Sequence, residues 1–374
     1  MSTPLAESKI KGSLFGGAIG DALGGPIEPW SGDPDRIENS FGTRRIETLV
    51  DYLPDGPHWY FRGSPKGTYT DDTILKNIVC QAIADSHGRI GAREFARAYC
   101  KYMRREYFTR EPGQLWPGEA VVWFKLYFHI TNQPYDQLLS EMPDARDMGQ
   151  GNLPACDAAM MIPPVGLINA GDPRQASMDA VDVSSVLQSG VSATAPGALA
   201  AAVAAAMVPG AGIDEVLEAG VRHSDERTAA RIRAAVELAG AATDADDFRR
   251  RFHDKMLLGL ADALELVPAT FGILALTRGD YRRSVVEGAN FRRDSDTIAA
   301  MAGSVAGALH GLDVLPVEWV ESVRAANPDQ PALDDLAAGI LAALRQEQMR
   351  GKRQLGLLDE LLEPGSGSRE GSDE

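Results

Sequence analysis

Glycine recurs every four residues in two parts of this chain, at Gly12, Gly16, Gly20 and Gly24 and again at Gly303, Gly307 and Gly311. Residues four apart share one face of an α-helix, so each set forms a stripe without side chains. Glycine in a helix interior costs about 1 kcal/mol relative to alanine, and a cost repeated along one face needs an offset. Close approach of another backbone, which a Cβ would prevent, is that offset. The stripes are therefore read as packing devices. They draw Asp21, on the first helix, and the start of the second helix towards the centre of the protein.

The rest of the chain reads as helical too. Periodic apolar stretches predict helices near residues 7–24, 72–86, 92–105, 118–130, 174–188, 196–207, 213–220, 225–240, 258–277, 295–311, 332–349 and 354–362. Strand-like alternation is hard to find. Residues 26–70, rich in proline, glycine and aromatics, read as irregular, and residues 143–155 as a loop. No Gly/Ser-rich linker or 20–50-residue repeat divides the chain. The expectation is an all-α, single-domain protein over residues 1–363. The tail 364–374 has no apolar residue and is expected to be disordered.

A hydrophobic fraction of 44% and a charged fraction of 24% fit a soluble globular protein. The longest apolar run, around Ala198 to Val208, falls short of the roughly 18 residues a membrane span needs. The N-terminus lacks the apolar core of a secretory signal. A cytoplasmic protein with no membrane partner is expected. A formal net charge of -16 argues against nucleic acid as a general partner. Cys80, Cys100 and Cys156 show neither metal-finger spacing nor a disulfide framework, and the histidines form no ligand-spaced pair.

Two short segments concentrate oxygen-bearing side chains: Thr70-Asp71-Asp72-Thr73 and Asp294-Ser295-Asp296-Thr297. Both precede predicted helices, where Asp, Ser and Thr are the preferred caps. Capping needs one such residue, however, not the whole set. If the segments meet, Asp71, Asp72, Asp294 and Asp296 repel one another unless protonated or neutralised by cations. Oxygen-only ligation favours Mg²⁺ or Mn²⁺, and the lack of neighbouring His or Cys argues against zinc. Two ions about 4 Å apart can share a bridging carboxylate and activate a water.

These motifs resemble those of the ADP-ribosylglycohydrolase family. Gly16-Gly17-Ala18-Ile19-Gly20-Asp21-Ala22-Leu23-Gly24, followed by Glu28, is similar to the family's first helix and its acidic residue. Thr68-Tyr69-Thr70-Asp71-Asp72-Thr73 is similar to the first metal motif. Asp294-Ser295-Asp296-Thr297-Ile298-Ala299, running into the second glycine stripe, is similar to the second. The resemblance implies an orthogonal helical bundle with two Mg²⁺ ions in a central cleft, Mn²⁺ being possible. It implies metal ligands at Thr70, Asp71, Asp72, Asp294, Asp296 and Thr297, with Glu28, Asp71 and Asp296 catalytic. The implied reaction is hydrolysis of the C1″ glycosidic bond of an ADP-ribosyl or related ribosyl compound, through an oxocarbenium-like transition state. The alternative is a non-catalytic ADP-ribose-binding or structural member of the family.

The chain departs from the family pattern away from the metal motifs. A Gly-Gly pair often precedes the second motif, whereas this chain has Arg292-Arg293. These arginines could hold a phosphate, stand in solvent or neutralise the aspartates. The middle motif is Gly151-Asn152-Leu153-Pro154, and the family's Thr-His segment is Ser192-Ala193-Thr194-Ala195-Pro196 here. Gly151, Asn152 and Arg292, with Asp71, are the candidate substrate-binding residues. The partner expected is an ADP-ribosylated protein or a small ribosyl or ADP-ribosyl compound, the departures favouring the small molecule. Trp30, Trp59, Tyr60, Phe61 and Tyr69 either stack on a base or pack their loop.

Overall fold

A computed structural model describes residues 4–30, 33–56, 61–103, 144–259 and 261–362, with Pro29, Trp30 and Met103 as backbone alone. The first described helix is α1, Leu5–Gly24, which runs into a 3₁₀ turn, Gly25–Trp30. There follow α2, Pro34–Phe41, α3, Asp71–Ser86, and α4, Ala92–Met103. Next come α5, Asp157–Met161, α6, Pro163–Ile168, α7, Pro173–Ser184, and α8, Val191–Thr194. Then α9, Pro196–Ala206, α10, Ile213–Arg222, α11, Glu226–Gly240, and α12, Ala245–Met256. Last are α13, Ala263–Thr277, α14, Tyr281–Ala289, α15, Ser295–His310, α16, Val317–Ala326, and α17, Leu333–Leu362. No strand occurs among the described residues, so the fold is all-α as expected.

The glycine stripes meet. A Cβ on Gly12 would overlap the backbone of Gly307 and Gly311, one on Gly16 that of Gly303, one on Gly20 that of Ala299, and one on Gly24 that of Asp296. This register makes α1 and α15 antiparallel and brings their backbones into direct contact. It also seats the beginning of α15 against the end of α1. One hydrophobic cluster, from Ile10 to Ala343, surrounds the pair. Within it α9 is buried along its whole length, which its run of alanines permits.

Part of the chain's acidity serves helix starts. Asp33, Asp172, Asp225, Asp244, Asp262 and Asp280 each cap a helix by accepting a backbone N–H.

Several elements differ from the sequence expectation. The region 26–70 contains α2, and α5, α6, α12, α14 and α16 appear where no helix is predicted. In α12 only Asp247, Phe248, Phe252 and Met256 are buried, so a thin apolar stripe is hidden among charges. In α6 the pair Pro163-Pro164 reads as a break but occupies the first turn, where proline is tolerated. Conversely, the two helices expected over 332–349 and 354–362 are one, since the exposed Gly351 and Gly356 weaken α17 without ending it. The helix predicted near 118–130 and the tail 364–374 lie outside the described residues, as do His58, Trp59 and Tyr60. Among the described residues no helix is long and apolar enough to cross a membrane.

Candidate metal centre

The first oxygen-rich segment is fixed from three directions. Gly67 adopts a left-handed φ of 92°, and a Cβ there would strike the backbone at Ser322 and Val323. The Asn327 side chain donates to Gly67 O (2.8 Å) and accepts from Tyr69 N (3.3 Å), which aligns the strand-like approach to α3. Asp21 of α1 then accepts Thr70 N (2.9 Å), Thr73 N (3.0 Å) and the Thr73 hydroxyl (2.6 Å). Burial pushes the Asp21 carboxyl up to about 6 against the pull of these hydrogen bonds. Lys76, also buried, is pushed down by burial and held up by Asp21. Asp21 thus acts as a scaffold under the first motif.

The second segment begins with an unusual backbone. Arg292 and Arg293 have φ of 69° and 77°, a conformation that favours glycine. Arg293 is anchored there by the buried Glu265, with Nε donating to Oε1 at 2.8 Å. Asp294 stands at the N-cap of α15 yet makes no side-chain capping bond. Its Oδ2 instead accepts the Cys156 thiol at 3.4 Å. Asp296 Oδ1 accepts Thr297 N at 3.0 Å.

The two segments converge. Thr70 Oγ1 lies 3.3 Å from Asp72 Oδ2 and 3.5 Å from Asp296 Oδ2. Glu28, from the 3₁₀ turn, joins Asp294 and Asp296 in a group in which one carboxylate oxygen from each lies within 4.8 Å of the other two. Hard divalent ions sit about 2.0–2.6 Å from carboxylate oxygens, so oxygens up to about 5 Å apart can share one. Burial first, then the charges of Glu28, Asp72, Asp294 and Asp21, holds the Asp296 carboxyl well above its usual range. A buried, mutually repelling set of oxygens is the donor chemistry that a divalent cation fits.

Other expected site residues are placed less directly. Asp71 is buried at the first position of α3. The Thr297 hydroxyl faces Met160 Sδ at 3.9 Å. Gly151 is exposed with φ 82°, and the Asn152 amide donates to Leu187 O at 2.8 Å, so this segment is tied to the chain following α7. Its link to the carboxylates is Cys156, the residue before α5. Arg293 pairs with the buried Glu265, and Arg292 lines a cavity whose wall also includes Ile27, Arg44 and Asn290.

Two neighbours escape the sequence reading. Tyr52 is buried, stacks on Phe61 at 5.2 Å between ring centroids, and sits with its hydroxyl against Gly25. Burial and the charges of Asp21, Asp296, Glu28 and Asp71 raise its phenol well above the usual value. Cys156 reads as an incidental thiol until the fold brings it to Asp294. It adds one sulfur behind an otherwise oxygen-built centre.

The chain is 25% identical over 340 residues to the uncharacterized protein YegU of Escherichia coli K12, spanning 83% of this chain and 90% of the relative. It is 26% identical over 337 residues to the ADP-ribosylarginine hydrolase Tri1 of Pseudomonas putida GB-1, spanning 85% of this chain and 75% of the relative. A solved structure described as an ADP-ribosylglycohydrolase-related protein complex superposes with a TM-score of 0.57 at 20% identity, over 91% of this chain and 98% of that one. The ADP-ribosylglycohydrolase family profile matches residues 2–351, and with that span the chain belongs to the ADP-ribosylglycohydrolase family.

Proposed function

We propose that the chain is a hydrolase that cleaves the glycosidic bond at C1″ of an ADP-ribosyl or related ribosyl compound, with two Mg²⁺ ions at the carboxylate centre. The observation that carries this reading is the convergence of Glu28, Asp294 and Asp296 within 4.8 Å. Thr70, Asp71, Asp72, Asp294, Asp296 and Thr297 would hold the ions, and Mn²⁺ would serve as well. Bound there, the ions supply charge that orients ribose hydroxyls and makes water more acidic.

The chain's own residues do the rest. Glu28 is half-buried while Asp71, Asp72, Asp294 and Asp296 are buried, so Glu28 stands at the accessible side of the centre. A carboxylate there takes a proton from the attacking water and stabilises positive charge developing on the sugar. Asp21 and Cys156 keep Thr70 and Asp294 oriented. Gly151, Asn152 and Arg292 would contact the remainder of the substrate. The relation to an ADP-ribosylarginine hydrolase supports ADP-ribosyl compounds, on a protein or free, as the first substrates to try.

The test is release of ribose or ADP-ribose from a panel containing ADP-ribosylarginine and smaller ribosyl compounds, with Mg²⁺ present. On whichever substrate turns over, Glu28→Gln should lower kcat by about 10²–10⁴-fold, the usual contribution of a positioned proton-transfer group. Equal turnover by wild type and Glu28→Gln would remove Glu28 from the chemistry. Tight ADP-ribose binding with no turnover of any ribosyl compound would favour a non-catalytic binder.

A further inference from the structure

The last helix, α17, outgrows the body of the protein. Its first half is anchored by the buried Leu333, Leu336, Ala337, Ile340 and Ala343. Every residue from 348 to 362 is exposed. That stretch spans roughly 20 Å, and an isolated helix so short is marginal in water. Gly351 and Gly356, where a Cβ would meet open space, weaken it further. Holding this segment as a helix calls for a contact that it does not receive from the described residues of its own chain.

The exposed stretch is two-faced. Leu355, Leu357, Leu358, Leu361 and Leu362 are 43–80% exposed. At about 100° per residue they fall within less than half of the helix circumference. Single exposed leucines are ordinary, but a contiguous apolar stripe marks an interaction face. Leu355, Leu358 and Leu362 follow the spacing of a coiled-coil seam. Lys352, Arg353, Asp359 and Glu360 stand on the other half of the circumference, the basic pair first and the acidic pair second. Lys352 and Asp359 are seven positions apart, as are Arg353 and Glu360. Seven residues cover roughly 10 Å of helix, too far for an ion pair within one copy. None of the four makes an ion pair with another described residue.

We propose that this face pairs, antiparallel, with the same face of a second copy of the chain. Setting Leu355 opposite Leu358 of the second copy places the two-fold axis beside Gly356. The same register brings Lys352 next to Asp359 of the second copy, and Asp359 next to Lys352 of the second copy, along the edge of the seam. A parallel pair would instead set like charges level with like. A lipid surface fits less well, because membrane-surface helices carry mainly Lys and Arg on their polar face, whereas Asp359 and Glu360 stand on this one. A seam of about two heptads is small, so the association belongs to the weak, concentration-dependent class. It does not depend on the ribosyl-hydrolase reading.

Analytical ultracentrifugation of the full chain over roughly 1 μM to 1 mM tests it. Wild type should pass from monomer to dimer as concentration rises. Leu358→Glu puts a charge into the seam at an exposed position, so its fold should survive while dimerisation weakens about tenfold or more. Lys352→Glu and Asp359→Lys should each self-associate about three- to tenfold more weakly, because like charges then meet across the seam. Mixed in equal amounts, these two variants should dimerise with each other as wild type does, since every edge pair is then opposite in sign. Leu358→Glu dimerising like wild type would overturn the proposal. So would single charge variants that match wild type, or a mixture that fails to recover. Wild type that stays monomeric throughout would also overturn it, and Leu358-dependent binding of that monomer to phosphatidylserine vesicles would assign the face to lipid instead.

Discussion

Six aspartates at helix starts accept backbone N–H groups, whereas Asp294, in the same position on α15, accepts a thiol and faces Glu28 and Asp296. The residue type is the same, and the surroundings decide its role. At a cap the carboxylate is bonded and solvated. At the centre it stands among like charges in a buried place, where each ionised neighbour opposes the others. This gives Asp296 an unusual expected behaviour. Asp296→Asn removes one of the repelling charges while keeping the shape. With a chelator present, urea unfolding should show the variant more stable than wild type, because one buried like charge is gone while the shape is kept. Lower stability without metal would mean that repulsion is not what governs this cluster.

At the scale of elements, the contact between α1 and α15 controls where those residues sit. Gly16 faces the backbone of Gly303, and Gly24 that of Asp296. Gly16→Ala should therefore destabilise the protein by about 1–3 kcal/mol or more through overpacking. Gly351→Ala, where a Cβ meets open space in the exposed part of α17, should stabilise it by up to about 1 kcal/mol. Thermal or urea unfolding of the two variants checks whether the same substitution has opposite signs. These stripes were legible in the sequence because a spacing of four has one geometric meaning in a helix. The motifs at Thr70 and Asp294 were legible because their residue types exceed what capping needs. Helices such as α12 were not, because three apolar residues among charges leave little periodicity. Tyr52 and Cys156 were hidden for another reason: their place beside the centre is created only by tertiary packing, which no local spacing encodes.

For the whole molecule, the acidic residues behind the net charge of -16 include two groups with opposite effects that composition cannot distinguish. Aspartates at helix caps favour the metal-free fold, while those at the centre oppose it. The hydrophobic cluster from Ile10 to Ala343 offsets that opposition by enclosing the glycine-striped pair on which the centre is built. Metal ions bound only by the folded chain would then add stability by mass action, about 2.7 kcal/mol at 100 times the Kd for a single site. The Thr70 and Asp294 segments are proposed to form one oxygen-ligand site for two divalent ions. Titration of the metal-stripped full chain with Mn²⁺, followed by electron paramagnetic resonance, tests it most directly. Two saturable ions per chain, with at least one lost in Asp296→Asn, is the predicted result; no saturable binding at millimolar Mn²⁺, or identical binding by both proteins, would contradict it.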